Sequence, residues 1–204
     1  MKIIAESAYN HMGEIEEVIR LMHAAKKSGA DYFTMQIMDP LIFSATDYAK
    51  HQLYIDYNIS FADWDKAFAE SEKIDLPIIP CALDDNALAY VLTKKISKLK
   101  IHATDLTNPP MLQTIAQHTD VQVILETQAA TNFEIRFALG ILKDQVAAIL
   151  TGYSNYPTEY EDLNLDSLDF IKETYGLPVG LADHSPTVFE VPIMALAKGC
   201  AYLE

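Results

Sequence analysis

VQVILETQAATNFEIRFALGILKDQVAAILTGY, residues 121–153, decides the fold. An apolar run at 121–127 is rich in residues that suit a pleated surface. Thr131 and Glu134 follow with the spacing of a capping box, in which the hydroxyl and the carboxylate each satisfy the other's backbone N–H. A second apolar run occupies 146–153. The stretch therefore reads as strand, helix, strand.

The same alternation extends in both directions. Strands are expected at 2–7, 32–36, 77–82, 98–103, 178–184 and 200–204. The first intervening helix puts Ile15, Val18, Ile19, Met22 and Ala25 on one face and has Gly29 at its C-terminal cap. The second starts at Ser60 with Trp64, Ala67 and Phe68, and the third starts at Asp84 with Ala87, Leu88 and Val91. Asn108-Pro109-Pro110 opens the fourth. The last two run over 165–175 and 188–198, the latter closed by Gly199. Strict alternation predicts a parallel sheet. Eight strands with seven helices between them predict a TIM (β/α)₈ barrel in a single domain, 1–204, with the eighth helix absent from this chain. An open doubly wound sheet is the alternative, weakened because no Gly-x-Gly-x-x-Gly follows the first strand. Residues 37–59 form a long insertion carrying Phe43, Tyr48, Tyr54 and Tyr57, which suits either packing or a lid.

Composition narrows the partners. With 29 acidic and 15 basic residues the formal charge is -14, which disfavours nucleic acid and anionic membranes. An anionic ligand needs a local cationic pocket against that field. Cys81 and Cys200 form no C-x-x-C pair, the pattern of a reduced, cytoplasmic chain. No apolar stretch reaches spanning length, so no membrane partner is expected.

Barrel active sites lie at the carboxyl ends of the strands, where side chains alternate between interior and helix layer. With Leu99, Ile101, Val123, Leu125, Val179 and Leu181 facing the helices, Lys100, His102, Glu126 and His184 face inward. The same alternation turns Glu6, Gln36 and Glu204 inward, so that Glu6, Lys100, Glu126 and His184 are expected around a common hollow. A one-residue slip would reverse any of these assignments. His11 suits a ligand or a structural hydrogen-bonded role.

Four segments carry a resemblance. AESAYNHMGEIEEVIRLMHAAKKSGADYFTMQ (5–36), KIHATDLTNPPML (100–112), SNYPTEYEDLNLDSLDFIKETYGLPVGLADHSP (154–186) and KGCAYLE (198–204) are similar, in order and spacing, to the N-acetylneuraminate (sialic acid) synthase family. The resemblance implies condensation of phosphoenolpyruvate with an N-acetylated hexosamine aldehyde, of the N-acetylmannosamine type. It implies a divalent metal, manganese or magnesium, with His184 as a ligand. It makes Lys100 the candidate for the phosphoenolpyruvate anion and places Glu6 near the aldehyde. Glu126 joins these two as a catalytic candidate, and Asn10, Gln36, Asp105, Thr127, Tyr156 and Asp183 are candidate substrate contacts. The sequence departs from the family pattern at five places, two of them Ala103 for a serine and Pro80-Cys81-Ala82 for a Ser-Thr-Pro run. Thr34 stands for a phosphate-binding lysine, Thr151 for a second metal histidine, and Glu126-Thr127-Gln128-Ala129 for a Ser-Thr-Gly-Met run. The family's C-terminal antifreeze-like domain is not in this chain, and a homodimer is one way to cover the side without an eighth helix. A repurposed barrel that binds a sugar or a protein partner is the alternative function, and a Schiff-base aldolase using Lys100 is a third.

Overall fold

A computed structural model describes all residues 1–204. Eight parallel strands follow one another in chain order as a closed barrel, the fold expected from the alternation. The chain divides into two compact units, residues 4–99 and residues 1–3 with 100–204.

In the unit of residues 4–99, β1 (Lys2–Glu6) pairs with β2 (Tyr32–Ile37), and β2 with β3 (Ile78–Ala82). Between β1 and β2 lies α1 (Ile15–Lys27), which buries Ile15, Val18, Met22 and Ala25 and leaves Ile19 half-buried. Acidic residues in its first turn and lysines in its last complement the helix dipole, and Gly29 follows at φ +88. The insertion folds into two short helices, α2 (Pro40–Phe43) and α3 (His51–Asp56). Its rings pack on one another: Tyr54 lies 5.1 Å from Phe43, 6.1 Å from Tyr48 and 5.7 Å from Tyr9 between centroids. Ser60 caps α4 (Phe61–Ile74), accepting from the N–H of Asp63 at 3.1 Å, and Trp64 and Ala67 are buried beneath it. Asp84 caps α5 (Asp85–Val91) in the same way, at 2.8 Å from the N–H of Ala87.

The second unit carries β4 (Lys98–Ile101), β5 (Gln122–Glu126), β6 (Val146–Gly152), β7 (Val179–Ala182) and β8 (Tyr202–Leu203). Its helices are α6 (Pro109–Ala116), α7 (Asn132–Leu142), α8 (Asp166–Tyr175) and α9 (Glu190–Ala197). The capping box of Thr131 and Glu134 is formed in full at the start of α7. β7 stops at Ala182, so Asp183 and His184 belong to the loop that follows it and not to the expected strand. Gly152 is required by close approach, because a Cβ there would lie 2.3 Å from the Ala182 carbonyl oxygen. α9 is apolar all round: it buries Val191 and Ala195 and, with its preceding turn, exposes Val188, Phe189, Ile193, Met194 and Leu196. Cys81 and Cys200 are buried free thiols. No helix is long and apolar enough to cross a membrane.

Candidate functional site

Register assigns the two faces of the sheet. Glu126 pairs with Leu150, Leu150 with Gly180, and Gly180 with Tyr202, so these residues share one face. Lys100 lies on that face too. Its Nζ is 3.1 Å from Glu126 Oε1 and 2.8 and 2.9 Å from the two carboxylate oxygens of Glu204. β4 and β8 are not neighbours in the strand order, so the Lys100–Glu204 pair spans the concave interior of this unit. Lys100 is 1 % exposed and Glu126 4 %. Removing an ammonium from water costs several kcal/mol, roughly the scale that a well-formed ion pair must offset. Two acidic side chains thus converge on one lysine. Beside it stands His102, with Nε2 3.9 Å from Glu126 Oε2 and Nδ1 2.9 Å from the Thr104 hydroxyl.

The inward placement of Lys100, Glu126 and Glu204 follows the alternation of the strands. Glu204 is the functional candidate that the sequence reading left out of its site. Its parity signalled the position, but nothing local announced its pairing with a lysine 104 residues away.

His184 is organised separately. Its Nδ1 lies 2.8 Å from the Tyr153 carbonyl and its Nε2 3.0 Å from the Tyr156 hydroxyl. The carbonyl can only accept, so Nδ1 carries the proton and Nε2 offers a lone pair. That is the tautomer a metal ion requires, with the orienting hydrogen bond on the other nitrogen. Thr158 locks the surrounding loop: its hydroxyl contacts the Tyr153 and Asn155 carbonyls, and its N–H donates to the His184 carbonyl. The Tyr156 ring lies 4.1 Å from the imidazole and is largely exposed. No group of three or more His, Cys, Asp or Glu side chains is arranged to hold a metal ion, so His184 offers one prepared donor and not a ligand set.

The remaining candidates of this unit do local work. Asp183 accepts from the N–H of Ser185 at 2.9 Å and closes the turn after β7. Its own N–H donates to the Glu204 carbonyl at 2.8 Å, which ties the His184 loop to the Lys100 cluster through the backbone. Asp105 accepts from the Asn108 side chain at 3.1 Å, just before α6. Thr127 and Thr151 fall on the other side of the sheet. Thr151 is in register with Leu181, Thr127 donates its hydroxyl to the Leu150 carbonyl at 3.1 Å, and both line a small cavity with Ile135 and Ile171. Glu126 takes the inward position, so alternation turns Thr127 to the helix layer.

In the unit of residues 4–99, Gln36 donates to Glu6 at 3.3 Å. Thr34 is fully buried and gives its hydroxyl to the Ile79 carbonyl at 2.7 Å. His11 takes the structural role. Its Nδ1 accepts from the N–H of Gly13 at 3.0 Å, its ring meets Trp64 edge-on at 5.6 Å, and burial pushes its pKa below the usual histidine value. Tyr9, not singled out from sequence, directs its hydroxyl at the Met38 sulfur and is held protonated by burial. Asn10 is exposed, and its N–H donates to the Ser7 carbonyl.

These features define a TIM-type barrel with ionisable groups at the carboxyl ends of several strands. Residues 21–204 match the NeuB family, and the chain belongs to it. An uncharacterised protein of Methanocaldococcus jannaschii is 30 % identical over 99 % of this chain and 60 % of its own length. N,N'-diacetyllegionaminic acid synthase of Legionella pneumophila is 26 % identical over 99 % of this chain and 62 % of its own. Sialic acid synthetase of Leptospira borgpetersenii, solved with citrate, superposes with a TM-score of 0.91 at 25 % identity, over 99 % of this chain and 71 % of that one. The chain thus spans about three fifths of the length of the curated relatives it matches.

Proposed function

We propose that this barrel takes part in condensing phosphoenolpyruvate with an N-acetylated hexosamine aldehyde, giving a nine-carbon 2-keto sugar acid and phosphate. The observation that carries the reading is Lys100: a lysine held 1 % exposed on the interior face, at the end of β4, in a chain of the NeuB family. In the reaction the enolpyruvate C3 attacks the aldehyde carbon, water adds at C2 and phosphate leaves. Lys100 supplies positive charge for the phosphoenolpyruvate anion. Glu6, oriented by Gln36, is the acid–base candidate for the aldehyde oxygen. Tyr156, on the loop beside His184, is suited to contact the sugar. The family resemblance implies a divalent ion, manganese or magnesium, and His184 is the one donor arranged for it.

The test is release of inorganic phosphate from phosphoenolpyruvate in the presence of N-acetylmannosamine and related hexosamines, with the product mass read in parallel. The reading expects phosphate and product in equal amounts, both lost in Lys100→Ala. Full turnover in that variant removes Lys100 from the mechanism, and silence of the wild type across the sugars removes the reaction.

A second reading has its own support. The Lys100 ammonium is already met by two carboxylates, and Thr34 has committed its hydroxyl to the sheet. Both are arrangements that a barrel binding an uncharged sugar or a protein partner could keep. Calorimetry with manganese and phosphoenolpyruvate separates the two, since a binding-only barrel takes up neither. A homodimer over the apolar α9 face is also proposed, and sedimentation at rising concentration tests it.

A further inference from the structure

We propose that Glu126 is a specificity-determining residue that occupies Lys100 in place of a ligand anion, so that an anion gains Lys100 only when Glu126 moves to His102. The inference rests on the synthase reading for the identity of the anion.

Three observations carry it. First, Glu126 Oε1 sits 3.1 Å from Lys100 Nζ while both side chains are almost fully buried. A carboxylate oxygen there lies at the separation that a phosphate or carboxylate oxygen of a ligand would take. Second, Lys100 does not depend on Glu126 for neutrality, because Glu204 meets it through both oxygens at 2.8 and 2.9 Å. Removing the Glu126 charge takes one carboxylate away from Lys100 and leaves the Glu204 pair in place. Third, the other Glu126 oxygen already faces a second nitrogen: His102 Nε2 is 3.9 Å away on a ring 38 % exposed to solvent. His102 is held by Thr104 through Nδ1, so its Nε2 edge stays directed at Glu126. Glu126 therefore stands between two basic groups and can exchange one for the other without crossing the chain.

The trade concerns charge, not shape. An incoming anion meets repulsion from Glu126 for as long as that carboxylate stays on Lys100, and the low exposure of the pair keeps solvent from screening it. Glu126→Gln keeps the size of the side chain and removes the repulsion.

The experiment is calorimetry on the whole chain with phosphoenolpyruvate and, separately, inorganic phosphate. Glu126→Gln is expected to tighten both by at least about tenfold, whereas Glu126→Asp, which keeps the charge, stays near the wild type. His102→Asn leaves the Lys100 pairs in place and removes the destination, so anion binding weakens by at least about threefold. Melting temperatures report whether each variant is folded, and the His102 arm stands even where Glu126→Gln is not. Unchanged affinity in Glu126→Gln, equal tightening in Glu126→Asp, or unchanged affinity in His102→Asn each overturns the proposal. Phosphate release in the wild type without tightening in Glu126→Gln defeats this inference and leaves the synthase reading intact. Tightening without turnover in any variant does the reverse.

Discussion

Near the end of β4 the chain buries a lysine, whereas midway along β2 it buries a hydroxyl. Lys100 is matched by two acidic side chains, Glu126 of β5 and Glu204 just after β8. Thr34 needs only the carbonyl of Ile79 on the adjacent strand. A hydroxyl is satisfied by one acceptor, here a backbone carbonyl of the neighbouring strand, at a net gain of about 1 kcal/mol. A buried ammonium needs opposite charge and several acceptors, and here carboxylates from two further strands supply them. Lys100 therefore draws on charged side chains, while Thr34 is satisfied by the backbone of its own sheet.

The sharpest way to break that contrast is Lys100→Met. It strands Glu126 and Glu204 without that ammonium and is expected to destabilise the fold by about 3–5 kcal/mol, read by denaturant unfolding. A loss below about 1 kcal/mol would show the cluster to be more hydrated than its burial implies. Gly152→Ala should cost about 1–3 kcal/mol, because the added methyl meets the Ala182 carbonyl and forces β6 from β7. Thr34→Val should cost about 1 kcal/mol, and phosphate affinity should not change with it. A change in affinity would mean that Thr34 still meets the anion.

The smallest effect concerns His11. Burial lowers its folded-state pKa, so below the ordinary histidine value the unfolded chain binds a proton that the folded chain refuses. Its contribution is complete above that value and is lost as pH falls from there toward the lowered one. Melting temperatures of the wild type should fall over that range more steeply than those of His11→Asn, which keeps an acceptor for the Gly13 N–H and cannot titrate. Parallel curves would place the acid sensitivity elsewhere.

The elements that sequence located best are those with local causes. The capping box at Thr131 and Glu134, the caps at Ser60, Asp84 and Asn108, and the apolar face of α1 all depend on residues within one or two turns. Alternation along β4 and β5 likewise put Lys100 and Glu126 on the interior face. Alternation alone also excludes Thr127 from that face, but its place in a family-like run had suggested a substrate contact. His184 was expected on a strand, yet β7 ends two residues earlier, and the loop after β6 decides its hydrogen bonds.

Sequence by itself determined the alternation of strands and main helices, several of their caps and the shared face of Lys100 and Glu126, because those follow from backbone periodicity and near-neighbour hydrogen bonds. Only the tertiary structure decided that Glu204 takes Lys100, that His184 takes Tyr153 and Tyr156, and that Thr34 turns to Ile79. Each buried polar group must find a partner, and which partner lies within 3 Å or so is set by the packing of distant segments, not by spacing along the chain.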